Sequence, residues 1–292
     1  MFITNENNMK KHFKNLIKNS YFFLLITLIY LPLLIVVLVS LNGSSSRGNI
    51  VLDFGNVLNP NPDSKSAYLR LGETDFATPL INSIIIGVIT VLVSVPIAVI
   101  SAFALLRTRN ALKKTIFGIT NFSLATPDII TAISLVLLFA NTWLSFNQQL
   151  GFFTIITSHI SFSVPYALIL IYPKIQKLNP NLILASQDLG YSPLKTFFHI
   201  TLPYLMPSIF SAVLVVFATS FDDYVITSLV QGSVKTIATE LYSFRKGIKA
   251  WAIAFGSILI LISVLGVCLI TLQKYLREKR KEIIKIRQWK NS

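Results

Sequence analysis

Charge is scarce in this chain. Only 13% of its 292 residues are Asp, Glu, Lys or Arg, against 53% hydrophobic, where soluble domains carry about 25% charged. An ordinary water-soluble domain is therefore excluded. Acidic side chains are scarcer still, 12 against 26 basic. The single cysteine, Cys268, rules out an intrachain disulfide and, inside the last apolar run, reads as packing. No Gly-x-x-x-x-Gly-Lys-Ser/Thr phosphate loop occurs, so ATP hydrolysis by this chain is not expected. His12, His159 and His199 are scattered without metal-ligand spacing, so neither a metal nor a cofactor is expected here. No internal repeat of the kind that marks many secondary transporters is visible.

What the chain does have is long apolar runs, near 21–41, 80–106, 115–140, 151–173, 204–230 and 251–273. Each suffices to cross a hydrocarbon core of roughly 30 Å, which takes about 20 helical residues. Lipid offers no partner for free backbone groups, and the alternation of barrel strands is missing, so the runs are expected to be helices. The fold class is an all-α membrane protein, a six-helix bundle in the cell membrane. A basic N-terminus followed by an apolar run has the outline of a secretory signal. However, 21–41 is too long and lacks a small-x-small cleavage site, so an uncleaved first helix is expected.

The basic excess follows the topology. With both termini in the cytosol, nineteen of the 26 basic residues fall on that side, including Lys10, Lys11, Lys14 and Lys18, and eight from Lys274 to Lys290. Positive-inside bias accounts for this without nucleic acid; only the basic 231–250 loop pulls the other way. The chain then divides into a basic N-terminus at 1–20, a first span at 21–41 and an external loop at 42–79. A five-helix core at 80–273 and a basic tail at 274–292 complete it. The external loop, with Ser44, Ser45, Ser46 and Asn59-Pro60-Asn61-Pro62, is turn and linker chemistry. It either caps a pore mouth, meets a delivery protein or is a plain connector. The tail, with Leu276, Ile283, Ile286 and Trp289 among its charges, reads as an amphipathic segment on anionic lipid or as a solvated extension.

Between the fourth and fifth runs lies a polar-flanked segment at 179–203. Asn179-Pro180 is a helix start, with proline at the first position, where its missing donor does no harm. Gly190 supplies a left-handed stop, and Ser192-Pro193 starts again. The pattern predicts two short helices at an angle, too small to own a core. They either dock on a cytosolic partner or fold back on their own helix ends.

Gly190, nine residues, then Ile200-Thr201-Leu202-Pro203 resembles the signature loop of ATP-binding-cassette importer permeases: Glu-Ala-Ala, three residues, Gly, nine residues, Ile-x-Leu-Pro. Ala185, Gly190, Ile200, Leu202 and Pro203 match; Leu184 stands where glutamate is usual and Ser186 replaces the second alanine. ATPDIITAISLVLLF at 125–139, SHISF at 158–162 and SFDDYV at 220–225 look like the spermidine/putrescine branch, and within it like the second of two permease subunits. The resemblance covers roughly 80–273. It implies a six-helix type I ABC importer permease, with a loop that couples to a separate ATPase. Ala185, Ser186, Asp188, Gly190, Ile200, Leu202 and Pro203 would lie at that contact. It further implies a second permease subunit as heterodimer partner and two ATPase copies holding ATP and Mg. A solute-binding protein would deliver the polyamine from outside.

Only three carboxylates lie inside apolar runs: Asp128, Asp222 and Asp223. An ionised side chain at bilayer depth costs about 2.5–3.5 kcal/mol, so it faces a cavity or a partner. A polyamine calls for spaced carboxylates and for aromatic faces, each cation–π contact worth about 0.5–2 kcal/mol. Phe221, Tyr224 and Trp251 supply aromatic faces near the acidic pair or at the start of the next helix. Successive helical residues point about 100° apart, so Asp222 and Asp223 cannot face one line. One is expected to face the pathway while the other pairs elsewhere or caps a helix break; a solvated polar interruption is the structural alternative. Asp128, after Pro127, either lines the pathway or satisfies donors at a kink. Rival functions are a permease for iron or thiamine, an ion-coupled secondary transporter and a membrane scaffold without transport.

Overall fold

Backbone groups in hydrocarbon must bond within their own segment, and the apolar runs accordingly close into helices. The computed structural model describes residues 3–45, 48–52, 66–73, 76–106, 108–146, 148–242 and 247–290. In chain order the helices are α1 (Ile3–Ser40), α2 (Arg70–Glu73), α3 (Ala77–Leu106), α4 (Asn110–Ala125), α5 (Asp128–Asn141) and α6 (Phe152–Gln176). They continue with α7 (Pro180–Asp188), α8 (Pro193–Thr196), α9 (Leu202–Asp222), α10 (Val225–Val230), α11 (Ile237–Tyr242) and α12 (Ala250–Lys290). Among the described residues, six segments are long and apolar enough to cross a membrane: 20–40, 77–106, 128–146, 152–176, 193–222 and 250–279.

Three expectations are corrected. The run at 115–140 is not one helix: α4 ends at Ala125 and the spanning segment begins at Asp128. Pro127 has no N–H to continue the ladder and restrains the residue before it to an extended conformation. The run at 204–230 also breaks, with α9 stopping at Asp222 and the six-residue α10 following. Finally, the second short helix of the 179–203 segment is not separate. From α8 the chain passes through one π-helical turn at Phe197–Thr201 directly into α9, so only α7 stands as a short helix of its own.

By contacts the chain forms two units: 1–74 with 244–292, and 75–243. The last helix thus groups with the first, a different partition from 80–273. In the larger unit α3, α6 and α9 pack on one another through Ala98, Ala102, Ile171, Ile175, Leu205 and Val216, each fully buried or nearly so. Alanines one turn apart on α3 let backbones approach closely, which drives packing where lipid removes the hydrophobic incentive. Gly87 serves the same end: a Cβ there would come within 3.0 Å of the Phe217 ring on α9. A second cluster joins Ala132 and Phe139 of α5 to Ile226 and Val230 of α10, with Ile86 and Ile155 beneath.

In the smaller unit α1 packs against α12. The Tyr68 hydroxyl stitches them, 2.7 Å from Ser40 Oγ on α1 and 2.9 Å from Ser257 Oγ on α12. Ala67, Ala250 and Ala254 bury around it.

Candidate solute cleft and coupling segment

Two broken helices meet at one cleft in the larger unit. At the first break Pro127 is extended (φ −58°, ψ 136°), its carbonyl accepting from the Ile130 and Thr131 N–H groups. Thr126 closes α4 by bonding Phe122 O through both its N–H (3.0 Å) and its hydroxyl (2.8 Å). The Asp128 carboxylate takes no part in these bonds, and the residue opens α5 exposed.

The second break, at 222–224, is held by side chains. Asp223 Oδ2 accepts from Thr227 N–H and from its hydroxyl, both at 2.8 Å, and Oδ1 from Ile226 N–H at 3.4 Å. This is a helix cap for α10, satisfying the orphan donors of its first turn. Asp223 also lies 3.4 Å from Nε2 of the buried His159. Of the two placements expected for the acidic pair, the cap belongs to Asp223. Asp222 is exposed. Among the described residues neither Asp128 nor Asp222 has a hydrogen-bond or ion-pair partner.

Both free carboxylates line a cleft of about 510 Å³, with Phe162, Tyr166, Tyr224 and Tyr242 on its walls. Tyr224 stacks on Tyr242, centroids 4.5 Å apart, so α11 closes over the second break. The cleft combines uncompensated negative charge with aromatic faces, the chemistry that suits an organic cation. The structure brings Asp128, Asp222, Asp223 and Tyr224 together here. It does not bring Phe221 to the cleft: that ring stacks on Phe217, centroids 5.8 Å apart, within the packing of α9. Trp251 belongs to the other unit, buried in the first turn of α12.

The 179–203 segment follows its start and stop signals. Asn179 accepts from Asn181 N–H at 3.0 Å and Ser192 from Lys195 N–H at 3.3 Å. Gly190 has φ +82°, a left-handed conformation in which other residues are strained. Ser186, though placed with the contact residues, points inward: it is buried and hydrogen-bonded to Thr196 Oγ1 at 2.8 Å, fastening α7 to α8. Ala185 and Asp188 are exposed, as is Pro203, while Ile200 and Leu202 are half-buried. The segment presents Leu182, Leu189, Leu194 and Phe198, with Leu189 81% exposed. Leu184, at the usual glutamate position, borders an apolar hollow with Phe103, Leu106 and Ile183; a leucine fits that lining.

A residue that sequence spacing did not single out for the site is His159. It bridges Ser220 Oγ at 2.7 Å and Thr227 Oγ1 at 2.9 Å, one on each side of the second break. The available signal was its presence in a serine-rich apolar run, where a buried polar ring must find partners.

Comparison with known proteins agrees with this architecture. The chain is 80% identical over 276 residues to the spermidine/putrescine transport system permease protein PotC homolog of Mycoplasma pneumoniae, covering 94% of this chain and 96% of that one. PotC of Haemophilus influenzae is 28% identical over 85% of this chain and 92% of its own. The putrescine transport system permease protein PotI of Escherichia coli is 34% identical over 70% and 71%. A bacterial ABC transporter involved in alginate import shares the fold, with TM-score 0.63 at 16% identity over 89% of this chain and 95% of that one. The MetNI methionine ABC transporter does so with TM-score 0.51 at 16% identity, over 73% and 98%. The fold is that of an ABC importer permease, and the protein is a multi-pass component of the cell membrane. Residues 94–282 match the family model for the inner membrane component of binding-protein-dependent transport systems, and the chain belongs to that family.

Proposed function

We propose that the chain is one of two permease subunits of an ATP-driven polyamine importer, with spermidine or putrescine as solute. In this reading a related permease pairs with it to enclose the route, and both termini face the cytosol. A solute-binding protein delivers polyamine from outside. Two copies of a separate ATPase, holding ATP and Mg, dock on the 179–203 segments.

The observation that carries the reading is the cleft. Asp128 and Asp222 stand exposed without partners among the described residues, beside Tyr166, Tyr224, Tyr242 and Phe162. Ammonium groups joined by methylenes would meet the carboxylates with their charges and the rings with charge and chain alike. The exposed Leu182, Leu189, Leu194 and Phe198 offer an apolar surface for the motor, and the bend at Gly190 sets its angle.

The test is reconstitution of the four kinds of subunit in proteoliposomes. ATP-dependent uptake of labelled spermidine or putrescine is expected, and neither iron nor thiamine should compete. Competition by either, or uptake by this chain alone on an ion gradient, would contradict the reading. Replacing Gly190 with valine strains the left-handed turn by about 1–2 kcal/mol. ATP turnover should then continue with uptake reduced; unchanged uptake would remove the coupling role.

A further inference from the structure

The acidic pair splits into a free Asp222 and a bound Asp223, yet nothing in the backbone requires a break between them. From Ser208 to Gln231 there is neither proline nor glycine, so α9 has no covalent reason to stop. Running on as one helix would make the missing backbone hydrogen bonds and stack Val225 and Ile226, three and four residues on, over Asp222, which instead ends α9. Side chains must therefore hold the break.

His159 is placed to do so. It is 1% exposed on α6, its ring 5.2 Å from that of Phe162, which forms the cleft wall. Ser220 lies two residues before Asp222, in the last turn of α9, and Thr227 lies in the first turn of α10. One imidazole ties down both ends. The Thr227 hydroxyl donates to Asp223, so its oxygen accepts from Nε2–H, and Nδ1 accepts from the Ser220 hydroxyl. Both ring nitrogens are thus engaged, and none is left to meet the solute.

We propose that His159 is a positioning residue for the transport route: by clamping Ser220 and Thr227 it holds the break that leaves Asp222 open to the cleft at the end of α9 while Asp223 caps α10. The proposal rests on reading the cleft as the solute's route, but its test does not require transport.

In the full-length chain in membrane vesicles, with the lone cysteine removed by Cys268→Ser, a thiol is placed by Asp222→Cys or, as control across the cleft, by Thr131→Cys. The rate of modification by a water-soluble methanethiosulfonate is measured. Adding His159→Ala should slow the reaction at position 222 by about tenfold, the equivalent of one lost buried hydrogen bond. The rate at 131 should hold, and His159→Gln, which keeps a donor and an acceptor, should restore most of the loss. Unchanged reactivity at 222 overturns the proposal; so does an equal fall at 222 and 131, which marks loosening alone. If His159→Ala does not accumulate, Thr227→Val removes the same bridge and is judged by the same two rates. Slowing confined to 222, alongside an unmodified transporter that takes up no polyamine, would support the clamp and contradict the polyamine reading.

Discussion

The two breaks flanking the cleft reach similar ends by different means. At 126–128 the interruption is covalent: Pro127 lacks a donor, Thr126 ties off α4, and Asp128 is left free. At 222–224 it is assembled from Asp223, Thr227, Ser220 and His159, the last from a different helix. A break made by one imino acid leaves its neighbouring carboxylate at no further cost. A break made by side chains consumes one carboxylate to expose the other. Two adjacent aspartates are what the second arrangement requires.

On the proposed route Asp128 and Asp222 have the same role, one on each break, and this gives the largest expected effect. Replacing both with asparagine should lower initial polyamine uptake roughly 100-fold, two charge-assisted contacts of about 1.5 kcal/mol or more each. Uptake by reconstituted transporter at matched assembly measures it. A loss confined to one position would break the equivalence.

Asp223→Ala comes next and should act on stability. Losing the cap, and leaving the Thr227 N–H and hydroxyl without their acceptor, should cost about 2 kcal/mol, visible as a lower unfolding temperature of the purified chain. The smallest effect belongs to Pro127→Ala. Pro127 makes no side-chain cap bond, so unfolding should change by no more than about 1 kcal/mol. A cost equal to that of Asp223→Ala would show the first break to depend on stored stability after all.

Features encoded within a few residues of one another were legible in the sequence. The six spans came from apolar length, and Asn179, Gly190 and Ser192 announced the turns they make. Pro127 marked a kink, though its strength as a full stop between α4 and α5 was underread. What escaped depends on distant partners. Asp223 is the local half of the signal that ends α9 at Asp222; the other half is His159, more than sixty positions away in sequence. Ser186 sits at a contact position of the resembled loop, yet its neighbour Thr196 draws it inward. Phe221 adjoins the acidic pair in sequence, but the helical turn carries it to Phe217. Adjacency in sequence located the acidic pair; only packing separates the members of that pair by role.

The central claim is that Asp222 meets the solute and Asp223 holds the helix. The most direct measurement is polyamine uptake by transporters carrying Asp222→Asn or Asp223→Asn, compared at equal amounts of assembled complex. Uptake should fall by about tenfold or more with Asp222→Asn, and by clearly less with Asp223→Asn. Full uptake with Asp222→Asn, together with abolished uptake by well-assembled Asp223→Asn, would contradict the account.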